Sequence, residues 1–324
     1  MSDLHEYAVF TEEWDQPAGP RSQVAIELIG TRLRYAEVEH ADTDDGPTET
    51  LRRLGTCDFD FEVDRAVFGR PEPHQLDAIA TAVRDLFEST TADALHVALH
   101  PTHCVGFFTP VPDGLDPETR FGRLRREAAL LADAEPDRPG RVRAVPVRTQ
   151  TLDTGPQTWH HVIHIPEAVH ARLKLLAQQL GRQTRYELAD TTQAAASLVA
   201  SLTPLGAHPD AFQLGLGVYS AHVEVVVCRA GQWYAGHHAP ARTPEDGAYF
   251  AYRLMTDLGL APDAFEQWWL YGEHSDLRAH DLLASLLKLE PQRLNPLRAF
   301  GLPAQSGSPT QMAAYVPCVG AALV

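Results

Sequence analysis

The chain has 324 residues, of which 44% are hydrophobic, and a formal net charge of −16. That length carries enough apolar material for two cores of ordinary domain size, while the acidic excess repels the phosphates of nucleic acids and of anionic membrane surfaces. Cys57, Cys104, Cys228 and Cys318 are scattered without a C-x-x-C pair, no apolar run of about 18 residues occurs, and the acidic opening segment lacks a signal-peptide pattern; these features argue for a cytoplasmic α/β protein with no nucleic-acid partner and no direct membrane insertion.

Residues 1–22 are expected to be a flexible N-terminal segment. From Val24 an apolar run (Val24, Ala25, Ile26, Leu28) meets a Gly30-Thr31 turn and an alternating segment through Leu33, Tyr35 and Glu37, which reads as a β-hairpin. The acidic stretch 41–50 reads as a loop, and Gly55 to Glu62, with Phe59 and Phe61 alternating with aspartates, as a third strand. Leu76, Ile79, Ala80, Val83, Leu86 and Phe87 then fall at helical spacing, and Ala94 to Leu99 is a short apolar strand. The order β-β-β-α-β results.

The stretch 106–166 reads as an insertion with an arginine-rich helix, Glu118 to Ala134, and a hairpin of Val142 to Thr151 and Gln157 to Ile165. Asp153-Thr154-Gly155 supplies turn residues between those two strands. His160 and His164 share one face of the second strand, a spacing from which two imidazoles can approach one metal, but no third ligand stands beside them and no metal is expected. A regular helix follows from Glu167 to Leu180, closed by Gly181.

The β-β-β-α-β order then repeats. Phe212 to Val227 holds an apolar strand, a small-residue turn and an alternating strand; Trp233 to His237, a helix from Pro244 to Leu258 and a strand from Phe265 to Tyr271 follow. Gly215, Gly217 and Ser220 are compatible either with a backbone nest for an anion or with a plain hairpin turn. The tandem Trp268, Trp269 and Tyr271 must place a ring on each face of a strand. A small, apolar segment over 310–324 reads as a terminal helix, kinked or restarted at Pro317, that packs on a sheet. The expected division is 23–200 for the first half with its insertion, 201–309 for the second, and 310–324 for the returning helix.

No G-x-S-x-G elbow, P-loop or G-x-G-x-x-G ahead of a helix is present. The doubled order, the inserted subdomain and the Ala/Gly-rich ending resemble instead the actin-like ATPase superfamily, the actin/Hsp70/sugar-kinase group, and within it the PilM-type proteins of type IV pilus assembly more than the FtsA-type cell-division proteins. Ile26-Glu27-Leu28-Ile29-Gly30-Thr31-Arg32-Leu33-Arg34-Tyr35-Ala36-Glu37-Val38 aligns with the first hairpin of that family, and Leu214-Gly215-Leu216-Gly217 with the second. The resemblance implies a duplicated, ribonuclease H-like fold and a nucleotide cleft near Gly30, Thr31, Gly215, Gly217, Ser220 and Gly272.

It also implies what has changed. In the superfamily each hairpin carries a carboxylate near the nucleotide's metal, and a glycine two residues on lets the backbone approach the phosphates. Here those positions hold Glu27 and Ile29 in the first hairpin and Gly215 in place of the second carboxylate; Arg34 stands at the usual lysine, and Gly272-Glu273 at the usual G-G. The resemblance thus implies a scaffold or adaptor with lost hydrolysis, holding a peptide from an inner-membrane pilus- or secretion-like assembly. ATP with Mg²⁺, in an ATPase or a sugar- or acetate-kinase-like phosphotransferase, is the alternative, and self-association of the chain stays open.

Overall fold

The computed structural model describes residues 21–303 and 308–324, apart from 44–45, 70–71, 89, 91, 93, 134–139, 154, 179–184, 203–207 and 209. Most of the expected N-terminal segment, Thr154 of the turn, and Leu180 and Gly181 of the expected helix end lie outside the described residues; Arg21 and Ser22 already belong to the first strand.

The first half opens with an antiparallel meander of β1 (Arg21–Ile29), β2 (Arg32–Thr43) and β3 (Gly46–Asp58). The stretch expected as an acidic loop is strand at its ends, with Ala41 opposite Thr48 and Asp42 opposite Pro47. Cross-strand backbone pairing thus outweighs the polar composition, helped by β-favouring threonines. Phe59 and Phe61 consequently lie beyond the strand that was expected to contain them and pack against the first core. Helices α1 (Val63–Phe68) and α2 (Pro73–Glu88) lead to β4 (Ala94–Leu99), which lies parallel to β1.

The insertion contains β5 (Val105–Pro112), α3 (Pro117–Leu131), β6 (Arg141–Leu152) and β7 (Gly155–Ile165), with strand order β5-β7-β6. Helix α4 (Glu167–Gln178) and strand β8 (Arg185–Asp190) return to complete a five-stranded mixed sheet of order β3-β2-β1-β4-β8. Helix α5 (Thr191–Ser201) follows, its first turn capped by the Asp190 carboxylate, which accepts from the Gln193 amide.

The second half repeats the plan with β9 (Phe212–Val218), β10 (His222–Arg229), β11 (Gln232–Pro240), α6 (Pro244–Asp257), β12 (Phe265–Tyr271), α7 (Asp281–Leu287) and β13 (Gln292–Arg293), in sheet order β11-β10-β9-β12-β13. Helix α6 starts on a capping box in which Thr243 and Asp246 satisfy each other's backbone amides, with Pro244 in the first turn. The chain ends in α8 (Pro309–Ala313) and α9 (Val316–Ala321); Pro317 restarts the helix in its first turn, where its missing N–H costs nothing.

Each central strand is covered on both faces, hence its continuous apolar run. On β1, Val24, Ile26 and Leu28 face a core shared with α2 and α4, while Ala25 faces the C-terminal helix. On β9, Phe212, Leu214 and Leu216 share a core with α6 and α7, while the neighbouring strands turn Val226, Cys228, Trp269 and Tyr271 toward α5. Between the sheets lie α5 and α9, packed on each other, with α9 against β1, β2 and β4 and α5 against β9, β10 and β11.

Candidate functional site

The inner faces of the two sheets carry charge where the fold otherwise calls for apolar side chains. Glu27, fully buried, sits in the middle of β1 on the face of Ala25, opposite Arg34 of β2 in the antiparallel register. Arg34 Nη1 donates to Glu27 Oε2 at 3.2 Å, and Nη2 donates to Glu273 Oε1 at 2.8 Å. Glu273 follows β12 and Gly272, whose positive φ of 90° turns the chain at that point. One guanidinium therefore ties a carboxylate of the first half to a carboxylate of the second.

The other Glu27 oxygen is taken by His100, the residue after β4, whose Nε2 lies 2.9 Å from Oε1. His100 Nδ1 lies 3.4 Å from His222 Nε2, and His222 Nε2 lies 3.2 Å from Glu224 Oε1. His222 and Glu224 are two apart on β10, so strand alternation sends both to the inner face. Glu224, also fully buried, accepts from the Thr191 hydroxyl at the start of α5 and, on Oε2, from the Tyr271 hydroxyl at 3.2 Å. Tyr219 stacks on His222 at 4.6 Å and meets His100 edge-on at 4.9 Å; among the described residues its buried hydroxyl has no hydrogen-bond partner.

Burial alone pushes the Glu27 carboxyl up, but the Arg34 charge and the His100 hydrogen bond outweigh it and hold the group below its ordinary value. Burial likewise disfavours the charged His100, yet its bond to Glu27 and the surrounding carboxylates raise it above the ordinary imidazole value. His103, half-buried nearby, is pushed down to about 4 by burial and by the neighbouring imidazoles of His100 and His222. Burial and the Glu224 charge raise both Tyr219 and Tyr271, so both phenols stay neutral.

The residues expected to form a nucleotide cleft are placed differently from one another. Gly30 is in the β1–β2 turn with φ of 54° and open space where a Cβ would be, and Thr31 is exposed beside it. Gly30 and the exposed Ser220 line one cavity of about 420 Å³ together with Ile29, Asp64, His103 and Glu273. Ser220 and Glu273 also border a cavity of about 600 Å³ against Arg242, Thr243 and His274. Gly215 and Gly217 lie within β9, not in its turn: a Cβ on Gly215 would come 2.5 Å from Val226, and one on Gly217 would come 2.5 Å from the Tyr271 ring. Their absent side chains make room for packing across the inner face.

The surroundings of Glu27 do not offer a magnesium nucleotide a free carboxylate. Both oxygens of Glu27 are committed to Arg34 and His100, the space at Gly215 and Gly217 is filled by Val226 and Tyr271, and Arg34, the buried cation, is spent on two carboxylates. The cavity between the two hairpin turns is bordered by Glu62, Asp64 and Glu273, with Arg65 and Ile29, a lining that opposes a triphosphate.

The sequence pointed to Glu27, Ile29, Arg34 and Gly215, which have a register in the hairpins. It gave no reason to join His100 to the His222/Glu224 pair, because His100 and His222 are 122 residues apart and only the fold joins them. The local signal was the alternation His222-Val223-Glu224 on a strand beside a turn. Among the described residues, His100, His222 and Glu224 form the set whose ligand atoms lie within 4.8 Å of one another; His160 and His164, singled out by spacing, form no such set, and His160 Nδ1 donates to the Thr158 carbonyl at 3.0 Å.

No family model and no curated protein sequence matches the chain. Among solved structures, the chain is similar to a PilM–PilN type IV pilus biogenesis complex, with a TM-score of 0.66 at 17% identity over 93% of this chain and 97% of that one. It is also similar to a Bacteroides thetaiotaomicron protein with an actin-like ATPase fold and unknown function, with a TM-score of 0.50 at 10% identity over 86% of this chain and 95% of that one. The chain has the actin-like ATPase fold, in a PilM-like arrangement.

Proposed function

We propose that this chain is a non-catalytic, actin-like scaffold that works in the cytoplasm and holds a partner segment from an inner-membrane protein in a pilus- or secretion-type assembly. The observation that carries the reading is the Glu27–Arg34–Glu273 bridge, which occupies the region between the two hairpins with the protein's own charges. A chain that satisfies its buried carboxylates internally has no free carboxylate there to hold a metal-bound nucleotide. The fold shared with a PilM–PilN complex supports a role in holding a partner. No helix among the described residues is long and apolar enough to cross a membrane.

Isothermal titration with ATP and Mg²⁺ to millimolar concentration, on the native chain and on Ile29→Gly, tests the first part. No saturable heat and no phosphate release are expected from the native chain. Saturable binding with turnover would replace the scaffold reading by an ATPase or phosphotransferase, with the cavity beside Ser220, Arg242 and Thr243 as the place to look. The partner is tested by fluorescence anisotropy with labelled peptides from the cytosolic ends of inner-membrane proteins encoded beside this chain; saturable binding by one of them is expected, and none by any would overturn the partner assignment.

A further inference from the structure

We propose that His100, His222 and Glu224 form a binding site for a divalent transition metal of the zinc class, which clamps the first half of the molecule to the second. This goes beyond the scaffold reading and does not depend on it.

The three donor atoms are separated by 3.4 Å (His100 Nδ1 to His222 Nε2), 3.2 Å (His222 Nε2 to Glu224 Oε1) and 4.0 Å (His100 Nδ1 to Glu224 Oε1). The centre of a triangle with those sides lies about 2.1 Å from each corner, which is the bond length zinc takes to imidazole nitrogen and carboxylate oxygen. Two imidazoles and one carboxylate also select zinc and its neighbours over Mg²⁺ and Ca²⁺, which favour all-oxygen ligation. An ion at that point replaces the His100–His222 and His222–Glu224 hydrogen bonds with three coordinate bonds.

The surroundings are those of a supported site. His100 turns its other nitrogen to Glu27 at 2.9 Å, so in the neutral ring that a metal requires the proton sits on Nε2 and the Nδ1 lone pair is left for the ion. Such a carboxylate behind a ligating histidine fixes the tautomer and raises its basicity. Glu224 is held by Thr191 and Tyr271, and Tyr219 covers both imidazoles. All three ligands are buried, and they come from opposite halves: His100 from the end of β4, His222 and Glu224 from β10. The clamp lies beside the Arg34–Glu273 bridge, which spans the same two halves.

The test is calorimetric titration of the chelator-treated full chain with Zn²⁺, with Mg²⁺ as control and no nucleotide present, so that its failure and that of the scaffold reading are distinguishable. One equivalent of Zn²⁺ is expected to bind and to raise the unfolding midpoint. His222→Ala and Glu224→Ala are each expected to weaken binding at least 100-fold, and Glu27→Gln about 10-fold, as supporting residues do. Because a buried substitution can also unfold the chain, the native protein is loaded with Co²⁺ as well; intense visible bands of a four-coordinate ion, held by the three side chains and one water, are expected. The weak spectrum of a hydrated octahedral ion, the lack of a single saturable site, or unchanged affinity in both folded His222→Ala and His100→Ala variants would each overturn the assignment.

Discussion

Glu27 shows how a single side chain redirects a fold position. It stands in an otherwise apolar run, and its burial is tolerated because Arg34 and His100 meet both of its oxygens. Removing one partner of such a pair leaves a charge buried alone, at a cost of about 3–5 kcal/mol. The two shifts at the Glu27–His100 contact set opposite pH limits. Glu27, held below its ordinary value of 4.5, contributes stability that is present above that pH and is lost as pH falls through the lowered value. His100, raised above its ordinary 6.5, contributes stability that is complete below that pH and is lost as pH rises through the raised value. The pair thus contributes most between about pH 4.5 and 6.5. Urea unfolding of the chelator-treated, metal-free chain and of its His100→Gln variant should show a stability gap that is widest in this window and shrinks on either side. A gap independent of pH would mean that the contact is not an ion pair. At this scale the sequence was readable in part: hairpin register put Glu27 against Arg34, but nothing local announces that His100, past the end of β4, reaches Glu27.

At the scale of elements, the amphipathic helices and the hairpins were legible because their periods are local. Two kinds of element were not. Strand β5 carries Gly106, Pro110 and Pro112, which argue against a strand, and it is admitted because the order β5-β7-β6 places it at an edge, where missing N–H donors cost no ladder bond. Helix α5 (Thr191–Ser201) is buried over most of its circumference, open only along Ser197, Ala200 and Ser201, so its small and apolar residues form no narrow stripe to read. Its neighbour α9 explains the small residues. A Cβ on Gly320 would fall 1.9 Å from the Ala194 carbonyl oxygen, so the two helices touch backbone to backbone at that point. Because the obstacle is main chain, Gly320→Ala cannot be relieved by a rotamer change, and the helices must move apart. Destabilisation of at least the 1–3 kcal/mol typical of overpacking is expected, read as a lower urea midpoint with an unchanged slope. Full native stability in that variant would show that the α5–α9 contact yields easily.

Over the whole molecule, the halves are joined through three layers of different chemistry. Arg34 and Glu273 join them by charge; Phe108 of the insertion meets Trp233 of the second half at 5.1 Å, with His161 on the same indole; and the α5–α9 pair fills the space between the sheets. The last of these is the largest, and it crosses over. Helix α9 ends the chain after the second half, yet it lies on the first sheet, burying Ala25, Val38 and Ala98 together with Ala194, Ala321 and Ala322. His40 of β2 adds a hydrogen bond to the Ala322 carbonyl at 3.0 Å. Each sheet is therefore completed by a helix that also touches the other, so neither half keeps its inner face dry alone. For the native chain this predicts one cooperative urea transition, coincident by tryptophan fluorescence and by far-ultraviolet circular dichroism. Removal of residues 309–324 strips the first sheet of its cover but leaves Trp268 and Trp269 within β12, Trp268 in the core formed with α6 and α7. In that truncated chain, with Trp14 and Trp159 replaced by Phe so that the second half's tryptophans report alone, the first half should unfold at lower urea than the tryptophan signal reports, splitting one transition into two. Coincident transitions in the truncated chain would locate the coupling instead in the Arg34 bridge and the Phe108–Trp233 contact, both of which the truncation leaves in place.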